Sequence, residues 1–128
     1  MDIFNSLSVV PTIAPATRAN VVTNGASVDR AGFFGVMAVI QAGVITDGSH
    51  AFVLQDSADG SVFANVAAAD QQGPSPTLTS ANSNTVHRIG YLGTRRFLRV
   101  VSTGTGATTG GVFGASIVRG GPRLAPVA

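Results

Sequence analysis

The 128-residue chain contains no cysteine, no lysine, no glutamate and no tryptophan. Each absence removes a class of chemistry. Without cysteine there are no disulfides, thiolate metal sites or cysteine nucleophiles. Without glutamate, the distal bidentate ligand of a calcium loop is missing. Without lysine, so is the phosphate-binding lysine of a P-loop. Lysine and glutamate also solvate exposed helix faces, so their joint absence argues against a helical protein. Charge is scarce: six aspartates and eight arginines make up 11% of the chain, against about a quarter in ordinary soluble domains. The net charge of +2 is small for a nucleic-acid binder. A chain with so little charge, 45% hydrophobic residues and 16 glycines is prone to associate unless association is its purpose.

The remaining residues read as β-structure. The uncharged segment AGFFGVMAVIQAGVI, Ala31 to Ile45, is shorter than the roughly 20 residues of a spanning helix and is interrupted by Gln41. Its glycines and β-branched residues make it a buried strand, and no membrane partner is expected. The start, MDIFNSLSVV, has an acidic second residue and no basic region, so a secretory signal is not expected.

Residues 1–30 read as an extended arm. Pro11 and Pro15 interrupt regular structure, and small polar residues separate the apolar anchors Ile3, Phe4 and Leu7. Residues 31–119 read as one β-domain, and 120–128 as a C-terminal tail. Within the domain, turn signals recur every 8–14 residues. Asp47-Gly48 and Asp59-Gly60 are hairpin signals that predict a three-strand meander through FFGVMAVIQAGVIT, AFVLQ and SVFANV. Residues 67–84 are expected to be the longest irregular stretch: AAADQQ has room for one helical turn, and Gly73, Pro74 and Pro76 stop anything longer. TVHRIGYL, RRFLRVV and VFGASIVR supply further strands. The count of six or seven strands with no amphipathic helix predicts an all-β, antiparallel sandwich or barrel.

Every aspartate lies between Asp2 and Asp70, and six arginines lie between Arg88 and Arg123. C-terminal strands should therefore meet N-terminal ones and pair these charges. In RRFLRVV one face holds Arg96, Leu98 and Val100, and the other holds Arg95, Phe97, Arg99 and Val101. The second face suits an interface better than solvent. If the strand pairs with TVHRIGYL through Gly93-Thr94, Arg88 joins Arg95, Arg96 and Arg99 in one cluster. Such a cluster could hold an acidic glycan or a nucleic-acid strand, with Phe97 and Tyr91 as platforms. Pairing with aspartates of the chain or of a neighbour is the reading preferred here.

Other motifs carry less. DSADGS places Asp56 and Asp59 near a glycine but lacks the further ligands of a calcium loop. Asp47, Ser49 and His50 are close in sequence, yet no nucleophile-elbow motif accompanies them. His50 and His87 have no close-spaced metal-binding partners. GTGATTGG starts a glycine pattern at Gly104 and Gly106, but Thr109 stands where the third glycine should be. No catalytic set, cofactor site or metal site is expected, and the chain is not expected to be an enzyme.

Three segments in order carry a resemblance: FVLQDSADGSVFANVAAADQQG (52–73), VHRIGYLGTRRFLRVV (86–101) and TTGGVFGASIVRGGPRLAPV (108–127). Together with VVPTIAPATRAN they resemble small proteins encoded among the head genes of tailed bacteriophages, of the capsid decoration or cement type. SADGSVF followed by RRFLRV also resembles the jelly-roll strand pattern of discoidin-like sugar-binding modules. The resemblance implies a jelly-roll-like sandwich on the outer surface of the virion capsid, bridging subunits of the major capsid protein as a homodimer or homotrimer. Arm and tail would dock, through Ile3, Phe4, Leu7, Pro11 and Pro15, with Arg95, Arg96 and Arg99 at an interface. The alternatives are a tail or head–tail connector component, or a carbohydrate-binding module on the virion surface.

Overall fold

Alternation along the long strands divides the side chains into those that build a core and those that face outward. In the computed structural model, which describes residues 2–123, the fold contains eleven strands. They are β1 (Leu7–Arg18), β2 (Val22–Asn24), β3 (Val28–Asp29), β4 (Phe33–Ile45), β5 (Ser49–Ser57) and β6 (Ala64–Asn65). The rest are β7 (Gln71–Gln72), β8 (Thr77–Leu78), β9 (Val86–Tyr91), β10 (Phe97–Thr105) and β11 (Gly111–Pro122). Two single 3₁₀ turns, Ala68–Asp70 and Ser80–Asn82, are the only helical segments among the described residues.

The strands form two antiparallel sheets. One has the order β1-β11-β4-β9-β7, and the other β2-β10-β5-β6, with β3 also on β10 and β8 also on β5. The pairing is nested: β1 with β11, β2 and β3 with β10, β4 with β9, β5 with β6 and β8. Val36, Ala38, Ile40, Ile89, Phe113 and Ile117 of the first sheet join Phe52, Leu54, Leu78, Leu98 and Val100 of the second in one apolar cluster. Phe52 meets Phe113 edge-on, with ring centroids 4.9 Å apart. Full burial of each such side chain contributes about 1.5–3 kcal/mol before chain entropy is counted.

Two hydrogen-bonded ties close the margins between the sheets. On β1, the buried Thr12 Oγ1 donates to the Ala26 carbonyl (2.8 Å) and accepts from the Val100 N–H (3.3 Å). Gly25 makes this approach possible, because a Cβ there would collide with Thr12 Oγ1 and the Val100 carbonyl. At the other margin, Tyr91 of β9 donates its hydroxyl to Asp56 of β5 (2.8 Å). That hydroxyl also accepts the Arg95 N–H (3.0 Å).

Several expectations are corrected. Residues 7–29, read as an arm, are laid into both sheets of their own chain, with β1 as an edge strand. Pro11 and Pro15 are accommodated at irregularities in the β1–β11 register, on an edge where missing N–H groups cost little. The meander does not form across Asp47-Gly48: β4 and β5 lie in different sheets, and the turn carries the chain between them. Gly93-Thr94 is likewise a crossing from β9 to β10, not a hairpin. Only Asp59-Gly60 closes a hairpin, between β5 and the short β6. The irregular 67–84 segment still contributes the short pairings of β7 and β8. Of the supposed tail, residues 120–122 belong to β11, and 124–128 lie outside the described residues.

Candidate functional site

The outward positions of the five-stranded sheet form a continuous surface. The registers align them in rows across β1, β11, β4 and β9: Val9–Val118–Met37–Gly90, then Pro11–Ser116–Val39–Arg88, then Gly114–Gln41–Val86. In the last row Pro15 lies beside Gly114, where an added Cβ would come within 3.1 Å of its ring. Val112 and Val44 extend the surface. Val9 is 65%, Val86 61% and Val44 59% exposed. Gly114 and Gly43 lack side chains, and over them runs a groove of about 520 Å³ lined by Pro11, Pro15, Gln41, Val86 and Val112. Arg88 is the one charged side chain in these rows, and no ion pair to it occurs among the described residues.

This surface follows from β4. FFGVMAVIQAGVI is apolar at nearly every position, so both of its faces are apolar. The core covers one face, with Ala38 and Ile40 fully buried. Among the described residues the other is covered only in part, with Met37 and Val39 half-buried. A near-continuous apolar run belongs to a strand covered on both sides, whereas a solvated antiparallel strand alternates.

The end of the molecule carrying the 30–34, 92–96 and 119–123 segments gathers charge. Arg96 makes a bidentate pair with Asp29 (2.7 and 2.9 Å) and lies over the Phe97 ring at 5.1 Å. That contact holds the Asp29 carboxyl below its ordinary range and raises the Arg96 guanidinium. Arg119 donates to the Asp29 carbonyl and to Ser8 Oγ, and lies over Phe33 at 4.5 Å. Arg95 is 3.9 Å from Asp56. Arg30 donates to the Gly93 and Phe34 carbonyls. Burial, reinforced by Asp56, pushes the Tyr91 phenol up to about 12.

The expected residues therefore separate. Pro11 and Pro15 lie on the apolar sheet face. Leu7, opposite Gly120, stands at the charged end, and Ile3 and Phe4 in the turn before it are exposed, Phe4 at 88%. Arg95 and Arg96 belong to the same end, in the loop before β10. The four-arginine cluster does not form: Arg88 is on β9 in one sheet and Arg99 on β10 in the other. Arg99 faces outward, donates to Gln55 (3.0 Å) and lies over Phe63 at 4.2 Å. Charges from the two halves of the chain meet at Asp29–Arg96 and Asp56–Arg95.

The remaining motifs resolve as turns. The Asp47 carboxylate accepts N–H bonds from Thr108, Thr109 and Gly110, the shortest 2.7 Å, and they lower its pKa. Three N–H groups of GTGATTGG are thus engaged by the chain's own anion. Asp59 accepts from the Ser61 and Val62 N–H groups and from the Ser57 hydroxyl, which hold it at about 2. His50 is buried beside Phe113 with Nε2 3.2 Å from the Asp47 carbonyl, while His87 contacts the Thr85 hydroxyl. No group of three or more potential metal-binding side chains occurs among the described residues. No helix among them is long and apolar enough to cross a membrane.

The sequence matches no protein-family model and no curated protein.

Proposed function

We propose that the protein is a virion structural component that decorates and stabilises the outer surface of a phage capsid by bridging neighbouring capsid subunits. The observation that carries this reading is the apolar outer face of the five-stranded sheet, which the described residues cover only in part. A chain with 11% charged residues that also leaves this face open is built to work within an assembly. The resemblance of the three segments to head-gene products supplies the kind of assembly. The nested strand pairing supports a sandwich of the jelly-roll type. In this reading Ile3, Phe4, Leu7, Arg95 and Arg96 form a second contact zone at the charged end, and binding to the completed lattice stabilises it by linkage.

A carbohydrate-binding role is the weaker reading. Arginines cover Phe33, Phe97 and Phe63, and Tyr91 is buried. Few aromatic rings are left as platforms.

Quantitative mass spectrometry of purified virions from the phage encoding the chain tests the proposal. A copy number comparable to that of the major capsid protein is expected. A handful of copies would assign the protein to the tail or connector, and absence from the virion would overturn the structural role. Deleting residues 1–20 is a poor probe of docking, because it removes β1 and strips β11 of one of its two partners. Phe4→Ser together with Ile3→Ser leaves β1 intact and should weaken capsid binding.

A further inference from the structure

We infer that the outer face of the five-stranded sheet is a two-fold interface with a second copy of this chain. The inference rests on the reading that this face is covered in the working assembly, and it names what covers it.

The rows of the face are self-complementary. Consider a two-fold axis parallel to the strands and running between β11 and β4. It places β11 of each copy over β4 of the other, and β1 over β9. Each row then meets its own reverse. Val118 meets Met37, and Val9 falls at Gly90, over which the Gln72 side chain lies. Ser116 meets Val39. Gln41 falls over Gly114, beside the Pro15 ring that fills the space above it, and Val86 meets Pro15.

Charge obeys the same operation. Arg88, the single cation of the rows, falls opposite Pro11 at the margin, where its aliphatic stem can cover the ring and its guanidinium can reach water. It is not brought against a second arginine. An axis perpendicular to the strands through the Ser116–Val39 row would stack Arg88 on Arg88, so the charge disfavours that arrangement.

The area is sufficient. Three long strands and a shorter fourth, at about 4.8 Å spacing and about 3.3 Å per residue, present a face of about 700 Å². A standard interface covers about 800 Å² per partner. Two such faces stack as aligned sheets about 10 Å apart. Strand addition at β1 is disfavoured, because Pro11 and Pro15 remove N–H groups from that edge and the register is irregular there. A second copy therefore stacks on the sheet instead of extending it. A two-fold contact of this kind also favours the dimer over the trimer.

Light scattering on the purified full-length chain tests the inference. The wild type should be a dimer, at twice the 12.9 kDa of one chain. Val39→Asp, which places two carboxylates near the axis, should weaken dimerisation by a factor on the order of 100 or more. Val9→Asp, at an exposed edge position where folding is not at risk, should weaken it less. Circular dichroism should report unchanged strand content for both. The chain has no cysteine, so Met37→Cys mixed with Val118→Cys should give a disulfide-linked dimer faster than either variant alone. A wild type that is monomeric at all concentrations, or a dimer indifferent to both aspartate variants, would overturn the inference. A monomer present at high copy number in virions would sink the dimer and leave the capsid reading standing. A dimer absent from virions would do the reverse.

Discussion

On the six-stranded sheet the outward positions set Asn24, Thr103, Arg99, Gln55 and Asn65 among Val22, Val53 and Val101, while on the five-stranded sheet Val9, Val118, Met37, Val39 and Val86 stand with Ser116, Gln41 and Arg88. Both sheets close over the same core, so core packing does not explain the difference. β5 reads SHAFVLQDS and buries every second residue from His50 to Asp56, with polar groups outside at its ends. β4 is apolar on both sides. One outer face is finished by its own side chains, with Arg99 bonded to Gln55 and laid over Phe63. The other carries more apolar side chains and, among the described residues, a single unpaired cation, Arg88. In the proposed assembly this difference in outer-face composition separates a surface that meets water from one that meets protein.

Predictions that break or sharpen this contrast begin at the shared core. Phe52→Ala removes the ring that meets Phe113 and should cost about 3–5 kcal/mol, destabilising both faces together. Urea denaturation measures it, and a loss confined to self-association would contradict a common core.

The margin between the sheets comes next. Tyr91→Phe leaves the buried Asp56 without its hydroxyl donor and should cost about 1–3 kcal/mol. The phenol is raised to about 12 in the folded state, above about 10 when unfolded. Its contribution is therefore complete below about pH 10 and is lost as pH rises towards about 12. Thermal melts across this window should show an alkaline decline that Tyr91→Phe flattens.

Smaller effects belong to the turns. Asp59 is held at about 2, so its stabilisation is present above the unfolded carboxylate value of roughly 4 and disappears as pH falls through about 2. Asp47 is lowered in the same direction by the loop amides it caps. Asp59→Ala and Asp47→Ala should each flatten part of the acid limb of stability, and a limb identical to wild type would contradict these roles. The smallest effect is expected on the finished face. Asn24→Ser should change stability by no more than about 0.5 kcal/mol and leave association unchanged.

The strand content and most long strands could be read from the sequence, because turn residues and apolar runs mark them directly. Strand partners could not. Asp47-Gly48 and Gly93-Thr94 look like hairpin turns, but both carry the chain between sheets, and local turn chemistry does not distinguish the two outcomes. The arm was misread for a related reason: Pro11 and Pro15 argue against a central strand but are compatible with an irregular edge. The two arginine–aspartate contacts followed from the separation of charge along the chain, whereas Arg88 was misplaced because its strand's partner was wrong. The apolar face was visible in FFGVMAVIQAGVI, whose lack of alternation was assigned wholly to a buried strand. Which side the core would leave open required the registers of β11 and β9.

Met37 offers the most direct test of the central claim, because it is one of only two methionines and lies in the first row of the apolar face. Its oxidation by peroxide, followed by mass spectrometry, should be slow in the assembled protein and should accelerate on dilution or with Val39→Asp. Equal rates in the assembled and dispersed protein would mean that the face remains open to water, contradicting the account.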